Sequence, residues 1–120
     1  MAAIISHLKE KNMFFCDSRT IIDTRCEEAS VAAHAPYLGR DVFLEPHGQR
    51  GYANACKFLI EGAQIAKEKG YAVAIGHVGR EGGEETARAI KDSLSQIEAM
   101  GVKIVPLSEI YAKLANEQKV

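Results

Sequence analysis

The stretch YAVAIGH, residues 71–77, is an unbroken run of apolar and small residues that ends in a histidine. A continuous apolar run, rather than an alternating one, is typical of a strand buried on both faces of a parallel sheet. Gly70 precedes the run and follows a helical pattern, and glycine readily adopts the left-handed conformation that closes a helix. The stretch therefore predicts a helix, its closing residue and a buried strand that delivers His77 to the strand's carboxyl end.

The same layout occurs at two other places in the chain. The segments EKNMFFCDS (10–18) and AMGVKIVPLS (99–108) each pass from a helix end through Asn12 or Gly101 into an apolar run. A further strand is predicted at DVFLE, residues 41–45. Apolar residues at helical spacing lie between these strands and form three stripes: Ile22, Cys26, Ala29 and Ala33; Cys56, Leu59, Ile60, Ala63 and Ala66; Ile90, Leu94 and Ile97.

The resulting order of elements is αβαβαβαβα, which predicts an α/β fold of alternating βα units with four parallel strands. A length of 120 residues and the absence of a linker predict one domain over residues 1–120. The net charge of −1 offers no basic surface for nucleic acid or for an anionic membrane. No apolar run reaches the roughly 18 residues of a spanning helix. We therefore expect neither a nucleic-acid partner nor a membrane partner.

Candidate functional residues follow the predicted strands. Parallel strands bring their carboxyl ends to one edge of a sheet, so Asp17, Glu45 and His77 are expected to converge there. A carboxylate beside a histidine orients the imidazole for proton transfer, and Arg19 or Arg40 could bind a carboxylate or stabilise an oxyanion. The plainer readings are that Asp17 caps a turn and that Arg40 forms a surface ion pair.

Two other kinds of site have weaker support. The loop GHVGREGGEET, residues 76–86, places glycines before a helix, as phosphate-binding loops do. It lacks the Lys-Ser/Thr pair of such loops, and Glu81, Glu84 and Glu85 would repel a phosphate. The three cysteines have no CxxC spacing, and the four histidines form no HxH, HxxxH or HExxH pattern, so no metal site is predicted within this chain.

In combination and order, DSRT (17–20), RDVFLE (40–45), AVAIGH (72–77) and VKIVPLSEI (102–110) resemble the divergent polysaccharide deacetylase family, over residues 2–114. That family belongs to the carbohydrate deacetylases with a NodB-like, distorted (β/α) barrel. The resemblance covers the C-terminal half of the family domain. It implies that complete members bind a divalent, zinc-like metal through an earlier half, whose Asp pair and histidines are not found here.

The resemblance also implies roles for individual residues. His77 resembles the general acid that protonates the leaving amine, and Asp17 resembles the acidic residue that orients it. Arg19, Arg40 and Glu45 would contact a carbohydrate substrate. Two positions differ from the family pattern, because Glu45 replaces the usual Asp and Val78 replaces the Pro of many relatives.

Two hypotheses about function follow. In the first, the chain is the C-terminal half of a metal-dependent carbohydrate N-deacetylase and is inactive alone. In the second, it is a non-catalytic carbohydrate-binding or structural half-barrel that pairs with another chain. Both predict self-association through the open edge of the first strand, since unpaired strand edges bind other chains. The residues MAAIISHLKEKN do not resemble a signal peptide, although complete relatives are expected to be exported.

Overall fold

The computed structural model of the protein describes residues 1–21, 23–80 and 82–118. The chain divides into two compact units, Met1–Arg40 with Val105–Val120 and Asp41–Ile104. The prediction of a single family domain over residues 1–120 stays a prediction. In chain order the elements are α1 (Ala2–Glu10), β1 (Cys16–Asp17), α2 (Cys26–Ala32), β2 (Leu38–Gly39), β3 (Val42–Phe43), α3 (Tyr52–Lys69), β4 (Ala74–Ile75), α4 (Gly83–Ala99) and α5 (Leu107–Gln118).

The first unit contains a short parallel pair of strands and three helices. β1 pairs with β2, with Cys16 opposite Leu38 and Asp17 opposite Gly39. α1 packs against α2 around Ile5, Ala29 and Ala35. The ring of Tyr111 on α5 stacks on Phe14, with 5.0 Å between the ring centroids. Of the predicted stripe, Cys26 and Ala29 lie on α2 and Ala33 directly follows it, whereas Ile22 lies outside the described residues.

The second unit places a parallel strand pair against two long helices. β3 pairs with β4, with Val42 opposite Ala74 and Phe43 opposite Ile75. The apolar core joins the strands to α3 and α4 and consists of Val42, Leu44, Ala55, Leu59, Ala63, Ala89 and Ile97. Of the two predicted stripes, Leu59 and Ala63 of α3 and Ile97 of α4 lie in this core. Ile90 is instead exposed, because the buried face of α4 consists of Thr86, Ala89, Ser93 and Ile97.

The structure confirms an α/β chain with short parallel strands, and it does not confirm a half-barrel of four strands. The described strands form two separate pairs. The strand predicted within residues 99–108 is wrong: residues 102–106 form no strand. The Val102 N–H donates to the Ile97 carbonyl and closes α4, and Pro106 has no N–H to donate to a sheet.

The strand β2 was missed because its signal in the sequence is weak. Two residues are too few for a pattern, and glycine is rare in strands. A Cβ atom on Gly39 would collide with the Tyr37 ring, so the glycine lets that ring lie close to the backbone. The predicted helix-closing residues, in contrast, are confirmed, because Asn12, Gly70 and Gly101 have φ values of 57°, 99° and 83°. None of the described helices is both long and apolar enough to span a bilayer.

Candidate active site

Glu45 and His77 lie side by side in the second unit because of the register of β3 and β4. Glu45 follows β3 by two residues and His77 follows β4 by two residues. The Leu44 N–H donates to the Ile75 carbonyl at 2.9 Å, which continues the parallel pairing beyond the strands themselves. The prediction that strand ends bring distant residues together is therefore confirmed for this pair.

Glu45 has one of the most buried side chains of the described chain, with 1% of the residue exposed. Its Oε1 atom accepts hydrogen bonds from the His77 backbone N–H and from the Thr86 hydroxyl, each at 2.7 Å. Its Oε2 atom lies 3.2 Å from Nδ1 of His77. Both carboxylate oxygens are thus engaged by residues of the same unit, as a buried carboxylate requires.

These contacts keep Glu45 ionised although it is buried. Burial by itself raises the pKa of the Glu45 carboxyl. The hydrogen bonds from the His77 backbone, from Thr86 and from the His77 ring outweigh burial, and the pKa lies below its ordinary value. A carboxylate can only accept hydrogen bonds, so Nδ1 of His77 must carry the hydrogen that faces it.

The ring of His77 is therefore oriented through Nδ1 and is partly exposed. Its side chain is 42% exposed, whereas that of Glu45 is fully enclosed. Phe43 meets the ring edge-to-face, with 5.1 Å between centroids. Because Nδ1 faces Glu45, the second ring nitrogen, Nε2, points away from the carboxylate. This is the arrangement in which a histidine exchanges a proton with a bound molecule.

Asp17 lies in the first unit and is held by different partners. Its Oδ1 accepts the Arg19 backbone N–H at 2.9 Å, and its Oδ2 accepts the Tyr37 hydroxyl at 2.8 Å. Burial raises the pKa of Asp17, but the bonds from Tyr37 and Arg19 outweigh it and lower the pKa below its ordinary value. Burial, together with the Asp17 carboxylate, raises the pKa of Tyr37 to about 12.

The two arginines of the predicted site lie beside Asp17. Arg19 is exposed and has a positive φ of 54°, which is uncommon for a residue other than glycine. The Arg40 guanidinium donates to the carbonyls of Ser18 and Arg19, at 2.7 and 2.9 Å. Arg40 therefore fixes the turn that follows β1.

The structure thus groups the predicted site residues into two sets, Glu45 with His77 and Asp17 with Arg19 and Arg40. The orientation of His77 by Asp17, and contacts of Arg19, Arg40 and Glu45 with a substrate, stay predictions. The sequence analysis missed Thr86 and Tyr37, the hydroxyl partners of the two carboxylates. Neither carries a motif, since Thr86 resembles an ordinary first-turn residue and Tyr37 stands outside any periodic pattern.

A metal site does not fit the residues that the structure describes. Among residues 1–21, 23–80 and 82–118, no group of three or more His, Cys, Asp or Glu side chains could hold a metal ion. The divalent metal expected of complete family members stays a prediction, and none of the chemistry proposed below is routed through it.

The lowered pKa values of Asp17 and Glu45 predict that acid destabilises the chain. Their stabilising contributions are fully present above the ordinary values, 3.8 for Asp17 and 4.5 for Glu45, and are lost as the pH falls through the lower folded-state values. We expect the free energy of unfolding, measured by urea denaturation from neutral into acid pH, to fall in this range. Asp17→Asn and Glu45→Gln should each flatten the curve. A double variant with the wild-type pH dependence would contradict this assignment.

Comparison with known proteins supports the resemblance. The crystal structure of the uncharacterized protein ATU2773 from Agrobacterium tumefaciens C58 matches with a TM-score of 0.78 and 20% identity, over 91% of this chain and 42% of that protein. At this identity the likeness shows the fold alone, and the chain spans less than half of that protein's length. A search among curated proteins found no match. The family model of divergent polysaccharide deacetylases matches residues 1–111, so the chain belongs to the divergent polysaccharide deacetylase family.

Proposed function

We propose that this chain supplies the proton-transferring part of a carbohydrate N-deacetylase site, with His77 as the residue that protonates the leaving amine. Membership of the family supports a deacetylase-like domain. The observation that carries the proposal is the pair formed by the enclosed Glu45 carboxylate and the half-exposed ring of His77, 3.2 Å apart.

The chemistry of amide hydrolysis explains why such a pair is useful. Water adds to the acetamide carbonyl, and the C–N bond then breaks only if the nitrogen leaves as a neutral amine. Nε2 of a protonated His77 would donate that proton, and general acid catalysis of this kind contributes about 10²- to 10⁴-fold to a rate. The Glu45 carboxylate holds the ring in place through Nδ1.

His77→Gln provides the direct test of this role. Glutamine keeps a polar side chain but cannot donate a proton as an imidazolium does. We expect the variant to lower kcat for acetate release from N-acetylglucosamine oligomers by about 10²- to 10⁴-fold. The measurement uses the longest reading frame that contains residues 1–120, because the 120-residue chain is expected to release no acetate alone.

His47→Gln is the matched control, since His47 is an exposed histidine in the loop after Glu45. It should leave kcat within about twofold of wild type, as surface substitutions away from such contacts do. If His77→Gln and His47→Gln behave alike, His77 is not the proton donor. Sugar binding without acetate release in the wild-type protein would instead favour the non-catalytic hypothesis.

A further inference from the structure

Thr86 is a buried polar residue that the proposed proton transfer does not itself use. It lies in the first turn of α4 and is 5% exposed. Its hydroxyl donates to Oε1 of Glu45 at 2.7 Å, across 41 residues of sequence. A threonine hydroxyl in a helix more often bonds the helix's own backbone or faces solvent. This one bonds the carboxylate that holds His77.

The two oxygens of Glu45 have separate partners. Oε1 accepts from two donors, the His77 backbone N–H and the Thr86 hydroxyl. Oε2 faces Nδ1 of His77. The terminal torsion angle of a glutamate has a broad, roughly twofold distribution. A single hydrogen bond to the backbone would therefore leave the carboxylate free to rotate. A second donor on Oε1 restricts that rotation and keeps Oε2 directed at the ring.

Two glycines leave room for this arrangement. A Cβ atom on Gly76 would lie 2.9 Å from Cγ2 of Thr86 and 3.4 Å from Oε1 of Glu45. A Cβ atom on Gly82 would lie 2.6 Å from the same Oε1 and would overlap the Thr86 hydroxyl. The Gly83 N–H donates to the His77 carbonyl at 3.1 Å and closes the loop around the carboxylate. Gly76, Gly82 and Thr86 are here called the Glu45 pocket.

We propose that Thr86 is a positioning residue for His77. Its hydroxyl fixes the Glu45 carboxylate within the Glu45 pocket, and the carboxylate in turn fixes the Nδ1–H tautomer of the His77 ring. The effect of Thr86 on catalysis rests on the proposed function, whereas its effect on the His77 ring does not. Loss of the Thr86 hydroxyl would let Oε2 leave Nδ1, and Nε2 would then carry the hydrogen in a fraction of the neutral rings.

The test compares Thr86→Val, which removes the hydroxyl at nearly constant volume, with Thr86→Ser, which retains it. Long-range ¹H–¹⁵N NMR spectra of the neutral His77 ring report the tautomer in the 120-residue chain. We expect one Nδ1–H tautomer in wild type and in Thr86→Ser, and a mixture containing Nε2–H in Thr86→Val. Hydrogen exchange of the His77 amide should become about tenfold faster in Thr86→Val, since a loosened acceptor protects it less.

Ser93→Ala is the matched control, because Ser93 is another buried hydroxyl residue on α4. It should change neither the tautomer nor the exchange of the His77 amide. If Thr86→Val does not fold, Thr86→Ala, which places no methyl group against the carboxylate, takes its place. A single Nδ1–H tautomer in the variant that lacks the hydroxyl would overturn the inference, as would a mixture in Thr86→Ser equal to that in Thr86→Val.

The kinetics separate this inference from the proposed function. Thr86→Val should lower kcat for acetate release by about tenfold, with Thr86→Ser restoring it. If the tautomer changes but His77→Gln remains active, the positioning role stands and the proposed function fails. If His77→Gln is inactive while Thr86→Val retains both its tautomer and its kcat, the proposed function stands and the positioning role fails.

Discussion

Glu45→Leu is expected to lower the free energy of unfolding by about 2–5 kcal/mol, because it leaves the Thr86 hydroxyl and the His77 N–H without their acceptor. Each donor that loses its partner in a buried site costs about 1–3 kcal/mol. A domain of this size has about 5–15 kcal/mol of stability in total, so the loss is a large fraction of it. Urea denaturation at neutral pH, followed by circular dichroism, measures the effect.

Two further variants serve as controls for Glu45→Leu. Glu45→Gln should cost less, because the amide oxygen can still accept from both donors. Glu61→Leu, at an exposed glutamate of α3, should change stability by no more than about 0.5 kcal/mol. A loss in Glu45→Leu no greater than in Glu45→Gln would show that the hydrogen bonds to this carboxylate do not stabilise the fold.

Gly82→Ala is expected to be the second most damaging change, although it adds only one methyl group. The new Cβ would lie 2.6 Å from Oε1 and 2.8 Å from Cγ of Glu45, and it would overlap the Thr86 hydroxyl. These atoms are buried and bonded to each other, so they cannot move aside without breaking their contact. Overpacking of this kind costs about 1–3 kcal/mol, and separation of the Thr86–Glu45 bond would add to that cost.

Gly62→Ala is the control that separates overpacking from a general effect of alanine. Gly62 lies in α3, and its Cβ would meet Cγ2 of Val42 at an ordinary 3.5 Å. Because alanine favours helix over glycine, this variant should gain about 0.5–1 kcal/mol. The double variant Gly82→Ala with Thr86→Ala should lose less than the sum of its single variants, since the overlap with the hydroxyl is gone. Additive losses would contradict the proposed collision.

Local signals in the sequence were sufficient to predict several elements of the secondary structure. Gly70 closes α3 in the left-handed conformation, as the pattern before YAVAIGH predicts, because backbone preference is a property of the residue itself. The helices α3 and α4 could be predicted because each must bury one face, although the buried face of α4 contains Ala89 and Ser93 rather than Ile90. Residues 102–106 show where this reasoning fails. They form an apolar run like the one before His77, but they form no strand. Pairing depends on a neighbour, which a local pattern does not contain.

The sequence by itself determined that His77 follows a strand and that Glu45 follows another, because both facts depend on runs of adjacent residues. Only the tertiary structure showed that the Glu45 carboxylate contacts the ring. That contact follows from the register of β3 on β4, which joins residues 32 apart in the chain, and from α4, which brings Thr86 to the same carboxylate across 41 residues. In the sequence, Asp17 and Glu45 are each a carboxylate at the end of a predicted strand, and the family resemblance favoured Asp17 as the residue that orients His77. The hydrogen bonds to Glu45 form where two strands and a helix converge. The groups that form them come from separate segments, so no single segment of the chain predicts these bonds.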